Sequence, residues 1–295
     1  MREIKSVRVG LFVLILLGMI NVVLQGIVFG YYEEAPVTSG GTVEGKVSLE
    51  GAVPPARIYH LVFSPNIDFC QRISDGKGNR LLREFNVSEK GGFQNVVVSV
   101  IGVQRGKPFN VTPILEIEDC RISPFVTPLR NSHTITLRSK DPITHDIQAY
   151  SVKNPKEGYT FQMFNKPMPA KTITSKKVKF RKDHFIFRTQ CGVHDFMQSW
   201  GIAVGNPYFA VTGPRGEFSI TNLPPGTYDV IAWHPHMTVQ AQRVNVSPNR
   251  SVNLNFTFDS SEVKIPEHDL QTGYRLETWL ALRNLVPPSV ELQGP

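Results

Sequence analysis

The sequence lacks the motifs of several large classes of cofactor-binding protein. Only three of its 295 residues are cysteines, and no Cys-x-x-Cys-His motif for haem attachment occurs. No glycine-rich phosphate-binding loop is present, and no basic motif interleaved with aromatic residues indicates a nucleic-acid-binding module. The net charge of +7 is therefore not read as a sign of nucleic-acid binding. No catalytic triad can be inferred from the many Ser and Asp residues, and we expect a protein that is not an enzyme.

Charge is absent from one long run, which lies near the N-terminus. Residues 9–29 are 21 uncharged positions, and residues 1–8 before them carry three basic residues and one acid. At about 1.5 Å per residue a helix over this run is about 31 Å long, close to the ~30 Å hydrocarbon core of a bilayer. We therefore predict an uncleaved signal anchor at residues 1–30; a cleaved signal peptide is the alternative. The flanking charges place the rest of the chain outside the cytoplasm, on the periplasmic side.

Three metal-binding side chains of different chemistry occur within seven residues. Cys191, His194 and Met197 offer a thiolate, an imidazole and a thioether. Residues 185–191 alternate between apolar and polar positions, so Cys191 is expected to end a core-facing strand. The alternation resumes at residues 202–204. The residues between these strands then form a loop at the rim of a sheet, where the three donors converge.

A second imidazole is needed to complete a well-known copper site. Two His and one Cys in a trigonal arrangement with a weak axial Met form the blue-copper electron-transfer set. The best candidate for the second imidazole is His145, which follows an alternating strand and a Lys-Asp-Pro turn. We predict that His145, Cys191, His194 and Met197 hold one type 1 copper ion. The simpler interpretation is that Cys191 is a small buried hydrophobe and that Met197 only fills the core.

The segments around His145 and Cys191 resemble the small blue copper proteins, the cupredoxins, and the loop is most similar to that of the amicyanin type. The resemblance covers about residues 113–205. It implies an eight-stranded Greek-key sandwich, with His194 near the surface and apolar Val193 and Phe196 facing a redox partner. The sequence departs from the family at Asp146, where an Asn usually helps to order the site. An ionised carboxylate cannot donate the same hydrogen bond, which leaves the potential and the metal affinity open.

A second pattern lies downstream of the copper-type loop. Phe218 and Ile220 alternate on one strand, and a Pro-Pro-Gly turn leads to a second strand that contains Tyr228. This pattern resembles the carboxypeptidase regulatory-like, transthyretin-like β-sandwich. The early half of that family's pattern matches residues 45–100 and the late half matches residues 209–258. We predict one discontinuous sandwich interrupted by an inserted cupredoxin domain, because insertion is easy where the ends of the guest domain lie close together.

The predicted fold class is therefore all-β. A Greek-key cupredoxin sandwich is inserted in or adjoins an Ig/transthyretin-like β-sandwich, with an N-terminal transmembrane helix and a short C-terminal helix within residues 266–285. The predicted segments are an anchor (1–30), a linker (31–42), the first part of the transthyretin-like sandwich (43–112), the cupredoxin domain (113–205), the second part of the transthyretin-like sandwich (206–258) and a C-terminal tail (259–295).

Two residue pairs remain open at this level. Cys70 and Cys120 either form a disulfide, which an oxidising compartment permits, or stay free thiols whose geometry forbids bonding. His234 and His236, in a His-Pro-His sequence, are a weak signal for a second metal ion. A dinuclear copper centre is not expected, because it would need a second cysteine in the loop of Cys191.

The leading functional hypothesis is a membrane-tethered, extracytoplasmic carrier of single electrons. Its partner would be a redox protein such as a cytochrome or a membrane oxidoreductase, met in a small transient contact. One competing hypothesis is a metal-free structural or accessory subunit of a larger envelope complex. Another is a copper storage or delivery protein.

Overall fold

The computed structural model describes residues 32–153 and 160–264. The predicted anchor at residues 1–30 and the predicted C-terminal helix lie outside the described residues. Within the two described ranges, no helix has the length and apolar character needed to cross a bilayer.

Strands dominate the described chain. The first seven are β1 (Glu33–Glu34), β2 (Gly41–Glu50), β3 (Arg57–His60), β4 (Asn79–Leu82), β5 (Val97–Ile101), β6 (Arg105–Gly106) and β7 (Ile114–Glu118). The next seven are β8 (Arg121–Ser123), β9 (Val126–Arg130), β10 (Thr134–Ser139), β11 (His145–Val152), β12 (Thr160–Met168), β13 (Ile173–Lys177) and β14 (Ile186–Cys191). The last seven are β15 (Gln198–Val204), β16 (Phe209–Val211), β17 (Glu217–Leu223), β18 (Gly226–Trp233), β19 (Gln240–Val246), β20 (Ser251–Asn253) and β21 (Phe256–Asp259).

Helical structure in the described ranges is short. It comprises helix α1 (Ile67–Cys70) and the 3-10 turns Leu61–Phe63, Gln71–Ile73 and Ser260–Glu262. The prediction of an all-β fold is therefore confirmed for the described residues.

Nine strands form two facing sheets that we call the site lobe. One sheet has the order β13-β10-β7-β8, and the other has the order β12-β11-β14-β15-β9. Alternate residues of each strand point inward, so Ile117 and Leu137 from the first sheet pack with Ile147 and Phe187 from the second in one buried core. This layer of apolar side chains holds the two sheets together.

Eight further strands form the companion lobe. Its sheets have the orders β16-β5-β18-β19 and β17-β2-β20, and β21 also pairs with β2. Strands that precede the site lobe in sequence thus bond to strands that follow it: β2 pairs with β17, and β5 pairs with β18. In sequence, the chain between Ile101 and Phe209 includes the site lobe. It lies between β5 and β16, which pair with each other in the companion lobe.

Strand β5 joins the two lobes because both of its faces are buried. Val98 and Val100 enter the companion-lobe core. On the opposite face, Val97 and Ile101 pack in a separate cluster with Trp200 from β15. A strand that is buried on both faces reads as a continuous apolar run, which explains its Val-rich sequence.

Residues 57–82, which we call the cap, form a small unit between β2 and β5 in sequence. Strands β3 and β4 pair only with each other, and the short helical turns lie between them. Leu61, Cys70 and Ile73 of the cap are buried in the site-lobe core rather than in the companion lobe. The packing therefore differs from the predicted segment 43–112, which assigned the cap to the transthyretin-like sandwich. The sequence of this stretch has no pattern that indicated its packing partner.

Candidate metal site

The site forms where two neighbouring strands end. Strands β11 and β14 are antiparallel, and Ile147 lies opposite Cys191. His145, two residues before Ile147, therefore stands at the same rim of the sheet as the loop that follows Cys191. That loop is closed by two backbone hydrogen bonds, from Met197 N–H to the carbonyl of His194 (2.9 Å) and from Cys191 N–H to the carbonyl of Met197 (3.1 Å).

The structure brings three of the four predicted ligands to one point. The Nδ1 atoms of His145 and His194 lie 3.8 Å and 3.6 Å from the Cys191 sulfur. One donor atom from each residue lies within 4.8 Å of the others, and all three side chains are buried. For bonds of about 2.0 Å to nitrogen and about 2.3 Å to sulfur, the lengths found around zinc, angles of roughly 110–120° give nitrogen–sulfur separations of about 3.5–3.7 Å, within about 0.1 Å of those observed. The spacing of the three groups fits a single metal ion.

The outer nitrogen of each imidazole is held by an oxygen. His145 Nε2 lies 2.9 Å from a carboxylate oxygen of Asp141, and His194 Nε2 lies 3.1 Å from the carbonyl oxygen of Pro65. A carbonyl can only accept a hydrogen bond, so Nε2 of His194 carries a proton and Nδ1 is the nitrogen that faces the sulfur. Nε2 of His145 likewise donates to the carboxylate of Asp141. Ligating histidines are typically fixed in this way.

Asp141 is itself held in place by the chain. Its two carboxylate oxygens accept hydrogen bonds from the backbone amides of Asp119 (2.6 Å) and Cys120 (2.9 Å), at the turn between β7 and β8. Burial raises the pKa of Asp141, but the hydrogen bonds from His145 and the two amides outweigh burial and lower it. The carboxylate therefore stays charged beside His145.

The electrostatics of the three groups favour a thiolate. Burial raises the pKa of Cys191, but hydrogen bonds from His145 and His194 outweigh burial and lower it to about 6. Burial lowers the pKa of His145, but the hydrogen bonds to Asp141 and Cys191 outweigh that effect and raise it to about 9. At neutral pH the metal-free site thus holds a thiolate beside an imidazolium. A cation can replace the proton that lies between them.

Asp146, which stands where an Asn is usual in cupredoxins, offers the thiolate its backbone amide. The Asp146 amide N–H lies 3.4 Å from the Cys191 sulfur, and the Asp146 carbonyl accepts a hydrogen bond from Gly192 N–H at 2.7 Å. The carboxylate accepts a hydrogen bond from the Gln148 side chain at 3.1 Å. A hydrogen bond to the thiolate is therefore available without an Asn side chain.

Met197 lies in the same buried core as Cys191 and is 1% exposed. This position is compatible with both interpretations of Met197, as an axial ligand and as a packing residue. Its role as a ligand stays a prediction.

The expectation that His194 lies near the surface is wrong. His194 is fully buried and Phe196 is only 3% exposed. The cap covers both residues: Pro65 bonds to His194, and the Tyr59 ring lies 5.0 Å from that of Phe196. The Tyr59 hydroxyl also donates a hydrogen bond to Asp195 at 2.7 Å. His194 and Phe196 therefore lie beneath the cap, whereas Val193 is partly exposed.

Three residues that support the site were not identified from the sequence. In the sequence, Asp141 is recognisable only as part of a turn before His145. Its position four residues before a candidate ligand is the one sign that it is the hydrogen-bond partner of that ligand. Tyr59 and Pro65 carry no such signal, because they lie more than 120 residues from the loop that they contact.

Cys70 and Cys120 form a disulfide, which settles the alternative left open by the sequence. The bond joins the end of α1 in the cap to the turn between β7 and β8. Cys191 is the one free cysteine and is buried.

His234 and His236 do not form a second metal centre with a third donor in the described residues. His234 Nδ1 accepts a hydrogen bond from the His236 amide (3.3 Å), and its Nε2 donates to the carbonyl of Glu84 (3.2 Å). His236 Nε2 lies 3.5 Å from the Glu84 carboxylate, which also pairs with Arg57. The positive charge of the Arg57 guanidinium beside the Glu84 carboxylate repels a metal cation. We therefore infer a structural role for His234 and His236.

Comparison with known proteins found one family model and several solved structures that are similar to parts of this chain. A family model for the carboxypeptidase regulatory-like domain matches residues 202–259. The structural neighbours are cupredoxins. A purple cupredoxin from Nitrosopumilus maritimus is 18% identical, with a TM-score of 0.25, and the match covers 30% of this chain and 97% of that one. Amicyanin from Paracoccus versutus is 14% identical, with a TM-score of 0.25, over 32% of this chain and 82% of that one. No curated protein matches the chain.

Proposed function

We propose that this protein binds one copper ion at His145, Cys191 and His194 and carries single electrons. One observation carries the proposal. Both Nδ1 atoms face the Cys191 sulfur, at 3.8 Å and 3.6 Å, while both Nε2 atoms are bonded to oxygens. Two imidazoles and one thiolate, free of competing carboxylates at the centre, form a set that suits copper.

The residues around the centre support a carrier rather than an enzyme. When bound, copper supplies one-electron exchange between its two oxidation states. Asp141 and Pro65 fix the rings of His145 and His194, and the Asp146 amide points at the Cys191 sulfur. These groups are held by strands and by backbone hydrogen bonds. The donor geometry therefore changes little with the charge at the centre, which favours rapid electron exchange.

Met197 is proposed as the weak axial ligand. Its place in the loop, six residues after Cys191, and its burial in the same core as Cys191 support this role. A thioether at this position tunes the potential of a copper site.

The location and the partner rest on the sequence. The uncharged run at residues 9–29, with basic residues before it, supports a tether in the cytoplasmic membrane and a periplasmic body. A cytochrome or a membrane oxidoreductase is the proposed partner, because a tethered one-electron carrier must exchange with another redox protein nearby.

Copper titration with visible spectroscopy tests the proposal. Cu(II) added to the metal-free protein should produce an intense thiolate charge-transfer band that saturates at one equivalent and is absent in Cys191→Ser. His133→Gln, which changes an exposed histidine outside the site, should behave as the wild type. A correctly folded wild type that stays colourless and binds no copper would refute the proposal.

Copper storage or delivery is a second candidate, favoured by the complete burial of His194 beneath the cap. Such a protein would exchange Cu(I) without a reversible couple. Voltammetry of the copper-loaded protein separates the two functions, since only a carrier gives a reversible one-electron wave. A metal-free accessory subunit would instead keep its associations in Cys191→Ser and His194→Ala variants.

A further inference from the structure

The cap covers the site through contacts with the loop that carries Cys191 and His194. Pro65 accepts the hydrogen bond from His194 Nε2, and Tyr59 bonds to Asp195. As a result, Cys191 and His194 are both 0% exposed. A metal ion or a thiol reagent that approaches from solvent on this side meets the cap first.

The cap is fastened at two places. At its far end, the disulfide between Cys70 and Cys120 ties α1 to the turn whose amides hold Asp141, so one covalent bond links the cap to the support of His145. At its base, Arg57 pairs with buried Glu84, just beyond the end of β4.

His234 and His236 of the companion lobe also hold Glu84, at the end of the cap that joins this lobe. His234 Nε2 donates to the carbonyl of Glu84, and His236 approaches the Glu84 carboxylate. The two residues therefore hold the chain where the cap leaves the companion lobe.

The cap contributes three buried side chains, Leu61, Cys70 and Ile73, to the site-lobe core. Its two strands are held less firmly: they form a sheet of their own, and none of the residues of β3 or β4 is fully buried. An isolated two-stranded sheet is marginally stable. Opening of the cap removes only these three buried side chains from the core, whereas global unfolding exposes the cores of both lobes, so local opening costs less free energy.

We propose that residues 57–82 gate access to Cys191, and that the Cys70–Cys120 disulfide keeps the gate closed. Opening separates Pro65 from His194 and Tyr59 from Asp195 while both lobes stay folded. The gating of the thiol does not depend on a metal ion. Its extension to metal loading and release rests on the proposed function.

Alkylation of the metal-free protein tests the gate directly. With the disulfide intact, Cys191 is the single free thiol, and it remains the single thiol in the double variant Cys70→Ser/Cys120→Ser. The rate with iodoacetamide is compared on the pH plateau, so that differences in thiol ionisation have no effect. We expect alkylation of the double variant to be at least about tenfold faster. Equal rates in two folded proteins would overturn the proposal.

Tyr59→Phe provides a milder test that does not depend on the disulfide. The variant loses only the hydroxyl that bonds to Asp195, and it should alkylate several-fold faster than the wild type. Asp229→Asn is the matched control: it removes one exposed hydrogen-bonding partner, that of Arg243 in the companion lobe, and should leave the rate unchanged. A Tyr59→Phe rate that equals the control rate contradicts the gate.

The urea dependence of the wild-type rate gives a readout that needs no variant. Opening of the cap uncovers only part of the site-lobe core, whereas global unfolding exposes both lobes, so the logarithm of the alkylation rate should rise with urea at a shallower slope than global unfolding predicts. A slope equal to that of global unfolding would mean that only the unfolded chain reacts, which overturns the proposal. If gated alkylation is found but no copper band appears, the gate stands and the proposed function fails.

Release of Cu(I) to a chelator extends the test to the metal. Release from the double variant should be faster by about the same factor as alkylation. Equal release rates, with faster alkylation, would contradict the extension to metal and leave the gating of the thiol intact.

Discussion

At the scale of single residues, the site depends on which nitrogen of each imidazole faces the Cys191 sulfur. Asp141 and Pro65 take the outer nitrogens of His145 and His194 and leave both inner nitrogens facing sulfur. The alternating pattern and the Cys-x-x-His-x-x-Met spacing were enough to predict His145, Cys191 and His194. They were not enough to predict the two oxygens, because hydrogen-bond partners of a ligand have no fixed spacing in sequence.

Replacement of Asp141 tests the support of His145. Asp141→Asn removes the negative charge beside His145, and loss of such a partner typically weakens metal binding by about 10–100-fold. Competition with a Cu(I) chelator measures the change. Glu116→Gln, a carboxylate that pairs with Lys140 and has no contact with His145, serves as the control and should keep wild-type affinity. An unchanged affinity in Asp141→Asn would show that Asp141 does not act through His145.

Replacement of Met197 tests its predicted axial role. Leu fills a similar volume without a sulfur donor, so Met197→Leu should still bind copper and keep the visible band. The loss of a donor to the oxidised ion should raise the reduction potential, and voltammetry measures the shift. A potential identical to that of the wild type would assign Met197 to packing alone. Met163→Leu, at a partly buried residue of β12 packed against the same core, is the control for repacking.

At the scale of elements, the site lobe depends on close contact between β9 and β15. These strands run parallel, with Gly201 opposite Thr127. A side-chain carbon at Gly201 would lie 2.5 Å from the carbonyl oxygen of Thr127 and 2.9 Å from Leu129. A backbone atom cannot move away without breaking the pairing. The sequence predicted a strand here, but it gave no sign that its glycine is required by a neighbouring backbone.

Gly201→Ala should therefore destabilise the protein by about 1–3 kcal/mol, the usual cost of overpacking a core. Ser175→Ala, on the exposed face of edge strand β13, should change stability by less than about 0.5 kcal/mol. Denaturant unfolding measures both. Equal midpoints for the two variants would show that β9 and β15 separate easily.

At the scale of the whole molecule, a buried charged group joins the cap to the companion lobe. Burial raises the pKa of Glu84, but its neighbours His236 and Arg57 outweigh burial and lower it to about 2. The usual value is about 4.5. A lowered carboxylate pKa stabilises the fold above the unfolded-state value, and this contribution is lost as the pH falls toward the folded-state value.

The free energy of unfolding should therefore fall between about pH 4.5 and pH 2, with a contribution from Glu84 on the order of 2–3 kcal/mol. Glu84→Gln should be less stable than the wild type at pH 6, and the difference should shrink as the pH approaches 2. Urea unfolding at several pH values measures this. Glu217→Gln, an exposed carboxylate, should follow the wild type closely. A constant difference between wild type and Glu84→Gln would contradict the charge-based role.

The sequence by itself determined the local features of this protein. Period-two alternation predicted strands, the spacing after Cys191 predicted that its thiol and the imidazole of His194 meet, and the Pro-Pro-Gly turn predicted the late half of the companion lobe. Only the tertiary structure decided which part of the molecule the cap covers. The stretch at residues 57–82 has no pattern that indicates its packing partner, yet Pro65 within it bonds to His194, 129 positions away. Alternation specifies which face of a strand is buried, whereas the choice of covering segment depends on how distant elements pack.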